Sequence, residues 1–231
     1  MSHQYMDKSE LKTFLGMSGS AQDNNLDFAL DAASSAIDDF CGRVFYKTDS
    51  TQDRVYDCEF TDFIYIDDIA TTTGLVVKTL DSDGSDLKTL SLNTDFYLYP
   101  HNADKLDPVM PFDKIVMAIE NSGTTLPTDY PRGLKITATF GFPIQEGSNT
   151  VPPAIRQATL IQAARFFQRK NSPMGFSGNP ETGQAPVVFL SQLDPDVKTL
   201  CRKFKKTKTV LASGRPYVGL TEINYNRTYG I

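Results

Sequence analysis

Tryptophan is absent from these 231 residues, histidine occurs twice and cysteine three times. His3 lies in a terminal segment and His101 in a turn between β-type runs, so neither is placed as a general base, and no Ser or Cys has a partner at recognisable spacing. Cys41, Cys58 and Cys201 are an odd number without metal-ligand spacing, which favours reduced thiols and folding in the cytosol over a disulfide framework. No GxGxxG, GxxxxGK[ST], HExxH or CxxC pattern occurs. Long apolar runs are missing too. The longest uncharged stretch is the twelve residues between Glu181 and Asp194, interrupted by Gln184, Ser191 and Gln192, whereas a spanning helix needs about twenty mostly apolar residues. No membrane association is expected. The opening MSHQYMDKSE has no basic segment followed by an apolar one, so no secretory signal is expected. The run Asp81-Ser82-Asp83-Gly84-Ser85-Asp86 clusters oxygens but fails the calcium-loop spacing, because its glycine is fourth rather than sixth, and it reads as a hairpin turn. The expectation is no enzyme, no cofactor and no metal.

What the chain does have is core-forming material, 40% hydrophobic and 11% aromatic, enough at this length to bury roughly 70% of the extended surface. Its charge is unevenly spread. Residues 202–231 carry seven cations against Glu222 alone, a balance of +6, which leaves −11 for residues 1–201 of a chain whose total is −5. An acidic body with a basic tail points to an acidic partner for the tail, nucleic acid or protein. The cluster Arg202-Lys203-Phe204-Lys205-Lys206 offers phosphate contacts and a stacking ring. Phe204 also stands three and four positions from Cys201 and Leu200, which makes it the natural core residue of a helix, and the acidic body opposes wrapping by DNA.

Periodicity divides the chain into helical ends and a β-type middle. Ser9 with Leu11, Phe14 and Leu15 predicts a short helix stopped at Gly16. A second helix follows from Asp23, with Leu26, Leu30, Ala33, Ile37 and Phe40 on one face and Gly42 as the terminator, while Asp27, Asp31, Asp38 and Asp39 lie mainly off that stripe. From Val44 to about Phe142 the signal is short β-type runs (44–46, 54–58, 63–66, 75–80, 87–92, 96–99, 114–119 and 134–142) separated by turn clusters, the pattern of a small antiparallel sandwich or barrel. Helical spacing returns after Pro152-Pro153, with Ile155, Ala158, Ile161 or Gln162, Arg165 and Phe166 in sequence, and Ala154, Ala158, Ala163 and Ala164 permit close packing. Residues 171–184 are rich in Gly, Pro and Ser and read as a loop. Asp194-Pro195 opens a last helix through Val197, Leu200, Cys201 and Phe204.

The expected fold is therefore α+β: a helical body of about four helices, an inserted antiparallel sandwich- or barrel-like β domain, and an extended C-terminal arm. The boundaries are residues 1–43 for the N-terminal helical part, 44–150 for the insert, 151–208 for the C-terminal helical part and 209–231 for the arm.

Two blocks of sequence carry a resemblance. LKTFLGMSGSAQDNNLDFALDAASSAIDDFCGRVF, residues 11–45, is similar to the N-terminal helix pair of the head-to-tail connector (adaptor) proteins of tailed bacteriophages, with its "LK..LG" opening and "CGR.F" close. VPPAIRQATLIQAARFFQRKNSPMG, residues 151–175, resembles that family's "P..I..A....A..F..R....G" helix and loop, and LDPDVKTLCRKFKK, residues 193–206, its closing helix. The β region, with YPHNADKLDPVMPFDKI and LKITATFGFP, resembles the insert of the family's longer members. The resemblance implies a structural virion protein that forms a ring, commonly of twelve copies, beneath the portal at the neck. It implies a lumen through which DNA passes without sequence recognition, a portal on one side, a tail-side neck or tail-completion protein on the other, and synthesis in the host cytoplasm.

It further implies a portal-docking arm. The candidate arm residues are Arg202, Lys203, Lys205, Lys206, Lys208, Arg215, Tyr217, Tyr225, Arg227 and Tyr229. Asp27, Asp31, Asp38 and Asp39, with Asp23, form the candidate acidic face toward the channel or a neighbouring subunit. The alternative reading is a nucleic-acid-binding factor that uses the basic tail.

Overall fold

The computed structural model describes residues 3–144, 151–169, 176–177, 187–188, 193–206, 208–210 and 216–218. They form an α+β structure of two compact units, residues 1–42 with 151–205, and 43–150 with 206–231.

The first unit is helical. α1 (Lys8–Leu15) begins at Asp7, where the Glu10 carboxylate reaches back to accept the Asp7 N–H at 3.4 Å, the reciprocal arrangement that satisfies an otherwise orphaned donor. This cap precedes the one expected at Ser9. α2 (Asp23–Cys41) ends at Gly42 in the left-handed conformation (φ 66°), as the terminating glycine predicts. α4 (Pro153–Arg169) packs on α2 and α1, and α5 (Pro195–Cys201) packs on α4. The common core is Met6, Leu11, Leu26, Ala29, Leu30, Ala33, Ala163 and Ala164, flanked by Leu15, Leu160, Phe166 and Phe167. Small residues on both partners let α2 and α4 approach closely, the role expected of Ala158, Ala163 and Ala164, all buried. Of the two residues that could continue the α4 stripe, Gln162 faces inward, and its Oε1 accepts the Asp194 N–H at 3.1 Å at the start of α5. Cys41 and Cys201, both fully buried, meet where α2 and α5 end. β7 (Phe176–Ser177) and β8 (Val187–Val188) form a two-stranded antiparallel pair; the rest of the 171–184 loop lies outside the described residues.

The second unit is built on one six-stranded antiparallel sheet: β1 (Gln52–Tyr56), β2 (Phe63–Leu80), β3 (Asp86–Leu90), β4 (Phe96–Tyr99), β5 (Phe112–Met117) and β6 (Leu134–Phe140). The order is β1-β6-β2-β5-β4, with β3 paired to the far end of β2. The two runs expected at 63–66 and 75–80 are one long strand. Its N-terminal part pairs with β5 and its C-terminal part with β3, while β6 pairs along residues 69–79, with register shifts between Ile69 and Val76. Such irregularities bend a strand, which lets one strand serve two flanks of a curved sheet. The expected strand at 44–46 is absent; only Lys47 bridges, to Gly141. α3 (Ile119–Ser122) is a single turn after β5. Inward residues alternate along β4, β5 and β6 and bury Phe96, Leu98, Ile115, Met117, Leu134, Ile136, Ala138 and Phe140 with Ile64, Ile66 and Ile69 of β2. On the other face of β2, β5 and β4, Lys114 lies 4.4 Å from the Phe63 ring centre and 5.3 Å from that of Tyr65. The Asp81–Asp86 run is a hairpin turn, as expected, closed by the Asp81 N–H donating to the Ser85 carbonyl at 2.8 Å with Gly84 left-handed. β9 (Lys208–Val210) pairs with β10 (Pro216–Val218) in the C-terminal segment.

Candidate functional site

The acidic face of α2 is met by the chain's own N-terminal segment. Lys8 Nζ donates to Asp27 at 2.8 Å, and Lys12 Nζ is 2.5 Å from Asp23. The Gln4 amide donates to Asp31 at 2.8 Å, and the Tyr5 hydroxyl to Asp38 at 2.5 Å. Tyr5 is itself buried and its N–H reaches Ser34 Oγ at 3.3 Å. Burial lifts the Asp38 carboxyl to about 7, the Tyr5 hydrogen bond works against that lift, and Asp39 adds repulsion. Asp39 is exposed. Periodicity sets these carboxylates off the apolar stripe but gives no sign that residues 4–12 fold against them.

The basic cluster at the end of α5 divides into three uses. Phe204 is a core residue, 2% exposed, and is not available for base stacking. Lys205 Nζ lies 4.8 Å from the ring centre of Phe40. Arg202 and Lys203 are exposed. Lys206 turns into the β unit, where its Nζ is 2.5 Å from Asp68 Oδ1. Of the remaining candidate arm residues, Lys208 and Tyr217 lie in β9 and β10, while Arg215, Tyr225, Arg227 and Tyr229 lie outside the described residues.

Lys206 belongs to a group that sequence periodicity alone does not assemble. Arg43 Nε is 3.7 Å from Asp68 Oδ2 and Arg43 Nη2 is 3.8 Å from Asp113 Oδ2. The side chains of Arg43, Asp68, Asp113 and Lys206 are 1, 5, 3 and 9% exposed. Two cations and two carboxylates thus share one interior site. None of the three guanidinium nitrogens and neither oxygen of Asp113 has a hydrogen-bond partner among the described residues. The short Lys206 contact is likewise an ion pair without hydrogen-bond geometry at Asp68 Oδ1. Burial raises the Asp113 carboxyl to about 7; repulsion from Asp68 adds to this, and Arg43 and Lys206 oppose it.

Local structure explains how the group is held. Asp68 and Asp113 stand on β2 and β5 in register with the buried Ile64, Ile66, Ile115 and Met117, so the pleat itself turns them inward. That register is the signal available in the sequence: a carboxylate at an inward position of an otherwise apolar alternation. The Asp68 carbonyl accepts the Gly141 N–H at 2.7 Å, and Gly141 has a φ of 113°. A Cβ there would overlap the Tyr46 carbonyl oxygen, so only glycine permits this close crossing of chains. Arg43 follows the α2 terminator Gly42, and its guanidinium carbon lies 6.0 Å from the ring centre of Phe142, which packs on Phe45 at 5.1 Å.

A depression of about 710 Å³ in the β unit is lined by Asp57, Cys58, Glu59, Thr128, Asp129, Tyr130 and Pro131. Burial, with Asp57 nearby, pushes the Cys58 thiol up to about 11, which keeps it protonated near neutrality. Among the described residues no group of three or more His, Cys, Asp or Glu side chains could hold a metal ion, and no helix is long and apolar enough to cross a membrane.

Comparison of the whole chain with solved structures finds a chain from the neck of an empty gene transfer agent particle, computed with C6 symmetry, at a TM-score of 0.53 and 17% identity. The match covers 91% of this chain and 94% of that one. The fold is shared with a gene transfer agent neck. A chain of the virion of a native gene transfer agent particle matches at a TM-score of 0.47 and 18% identity over 89% of this chain. No protein-family model matches, and no curated protein matches at the level of sequence. Near-complete coverage in both directions means that the neck chain's fold includes helical and β parts alike, rather than one of them.

Proposed function

We propose that this chain is a structural virion protein, a head-to-tail connector subunit that forms a ring beneath the portal and joins the capsid vertex to the tail. The observation that carries the reading is the fold shared end to end with a neck chain, which agrees with the connector resemblance of residues 11–45, 151–175 and 193–206. A six-fold neck is compatible with a ring of twelve copies. The protein then works by shape rather than by chemistry. Its helical unit builds the ring, its β unit enlarges the outer or tail-facing surface, and residues 209–231 form the arm that docks on the portal. Asp39 and the exposed edges of Asp27, Asp31 and Asp38 face the channel or a neighbouring subunit, where negative charge keeps the DNA backbone from adhering.

The test is to mix the purified protein with its portal and image the product. Rings stacked on portal are expected, and deletion of residues 209–231 is expected to leave a folded body that no longer binds portal. Mature virions without density for this chain at the neck would overturn the reading. The alternative, nucleic-acid binding through the basic tail, loses Phe204 as a stacking ring and Lys206 as a phosphate contact, while Arg202 and Lys203 remain exposed.

A further inference from the structure

We infer that Asp68 and Asp113 form a carboxylate seat for the Lys206 ammonium, which fixes on the β unit the point from which the C-terminal segment departs. Residues 43 and 206 each begin a stretch of this unit; Arg43 lies near both aspartates, while Lys206 pairs with Asp68 and its charge also acts on Asp113. Lysine and arginine near a surface ordinarily keep their charged ends in water, and Arg202, a few residues earlier, is exposed. Lys206 instead turns inward to 9% side-chain exposure.

Energetics explains why the seat needs this particular occupant. Two inward carboxylates 3 to 5% exposed are costly to ionise together: burial raises Asp113 first, and repulsion from Asp68 adds to it. Arg43 alone leaves the group one negative charge in excess when both aspartates are ionised. It also stands 3.7 to 3.8 Å from each carboxylate, beyond hydrogen-bond reach. Lys206, 2.5 Å from Asp68 Oδ1, is the closest counter-charge to the pair among the described residues, and it brings the group to neutrality once Asp113 is ionised. Removing one member of a buried charged group leaves the others uncompensated, which is the costly case. The seat therefore prefers the segment bound, and the segment's first residue is held whatever its later residues do.

This inference deepens the proposed arm and rests on that reading only for its purpose, because an arm that must find a portal benefits from a fixed root: fixing it confines the search of the remaining residues to a sphere about one point. It does not need the portal to be tested. Hydrogen exchange of the free, full-length protein, read by mass spectrometry on peptides covering 206–218, is compared for wild type, Lys206→Met, Lys206→Arg and the exchange Lys206→Asp with Asp68→Lys. Lys206→Met is expected to speed exchange in 206–218 at least tenfold while peptides of β4 and α4 remain as in wild type. Lys206→Arg is expected to retain protection, and the charge exchange to recover most of it. Protection unchanged in Lys206→Met, or lost equally in Lys206→Arg, would overturn the seat. If Lys206→Met frees the segment but deletion of 209–231 leaves portal binding intact, the arm reading fails and the seat stands. The converse pair of results sinks the seat alone.

Discussion

Asp113 makes the folded protein sensitive to pH in a direction opposite to that of an ordinary surface aspartate. Its carboxyl titrates near 7 in the folded state instead of near 3.8, chiefly through burial, so the folded state holds a proton that the unfolded chain has already lost. The stabilisation linked to that proton is complete below about pH 4 and disappears as pH rises through 7. Unfolding of the β unit, followed by exchange of the β5 amides in urea, should therefore become easier between pH 5 and pH 8. Asp113→Asn should flatten that dependence by on the order of 2 kcal/mol. Asp38, also lifted to about 7, gives the helical unit a dependence of the same sign, so the two are separated by reading peptides of β5 and α2 individually. Gly141 is the other sensitive position. Gly141→Ala drives a methyl group into the Tyr46 carbonyl and is expected to destabilise the β unit by more than about 3 kcal/mol, seen as a fall in the urea midpoint.

Among the elements, α5 depends on a cap that is simple to remove. Asp194 accepts the Asp196 N–H at 2.9 Å and also pairs with Arg165 at 3.0 Å, with Pro195 at the first helical position. Asp194→Ala should cost about 1–2 kcal/mol and fray the helix start, readable as loss of exchange protection in 195–201 with α1 unaffected. Helices such as this are legible in the sequence because their punctuation is local: Asp194-Pro195 opens α5, and Gly16 and Gly42 close α1 and α2. Strands β3 to β6 are legible as short β-type runs between turn clusters, and β4, β5 and β6 also alternate in burial. β2 is not, because Gly74 and the threonines at 71–73 read as a break between two runs, whereas register shifts against β6 and β5 let one bent strand pass through. The site is legible in part. Charge asymmetry locates the basic segment, but the folding of residues 4–12 over the α2 carboxylates and the meeting of residues 43, 68, 113 and 206 are long-range events that no local window contains.

For the whole molecule, the division of labour between a basic segment and an acidic body is an assembly question. If the arm engages portal mainly through Arg215, Arg227 and Lys208, portal affinity should fall by roughly tenfold or more between about 50 and 300 mM salt, whereas truncation at 208 should abolish binding at both. Isothermal titration of wild type and truncated protein against portal would show it, and a salt-independent affinity would assign docking to the tyrosines instead.

The chain leaves the helical unit after Gly42 and returns to it at Val151, yet α2 and α4 pack directly on one another. Closing that contact means bringing together segments separated by about a hundred residues, an entropic toll that grows with the logarithm of the loop. Hairpins in the excursion shorten the effective loop if they form first. Nascent protein should consequently acquire its sheet before its helices find each other, and a slow sheet would delay the maturation of the whole chain.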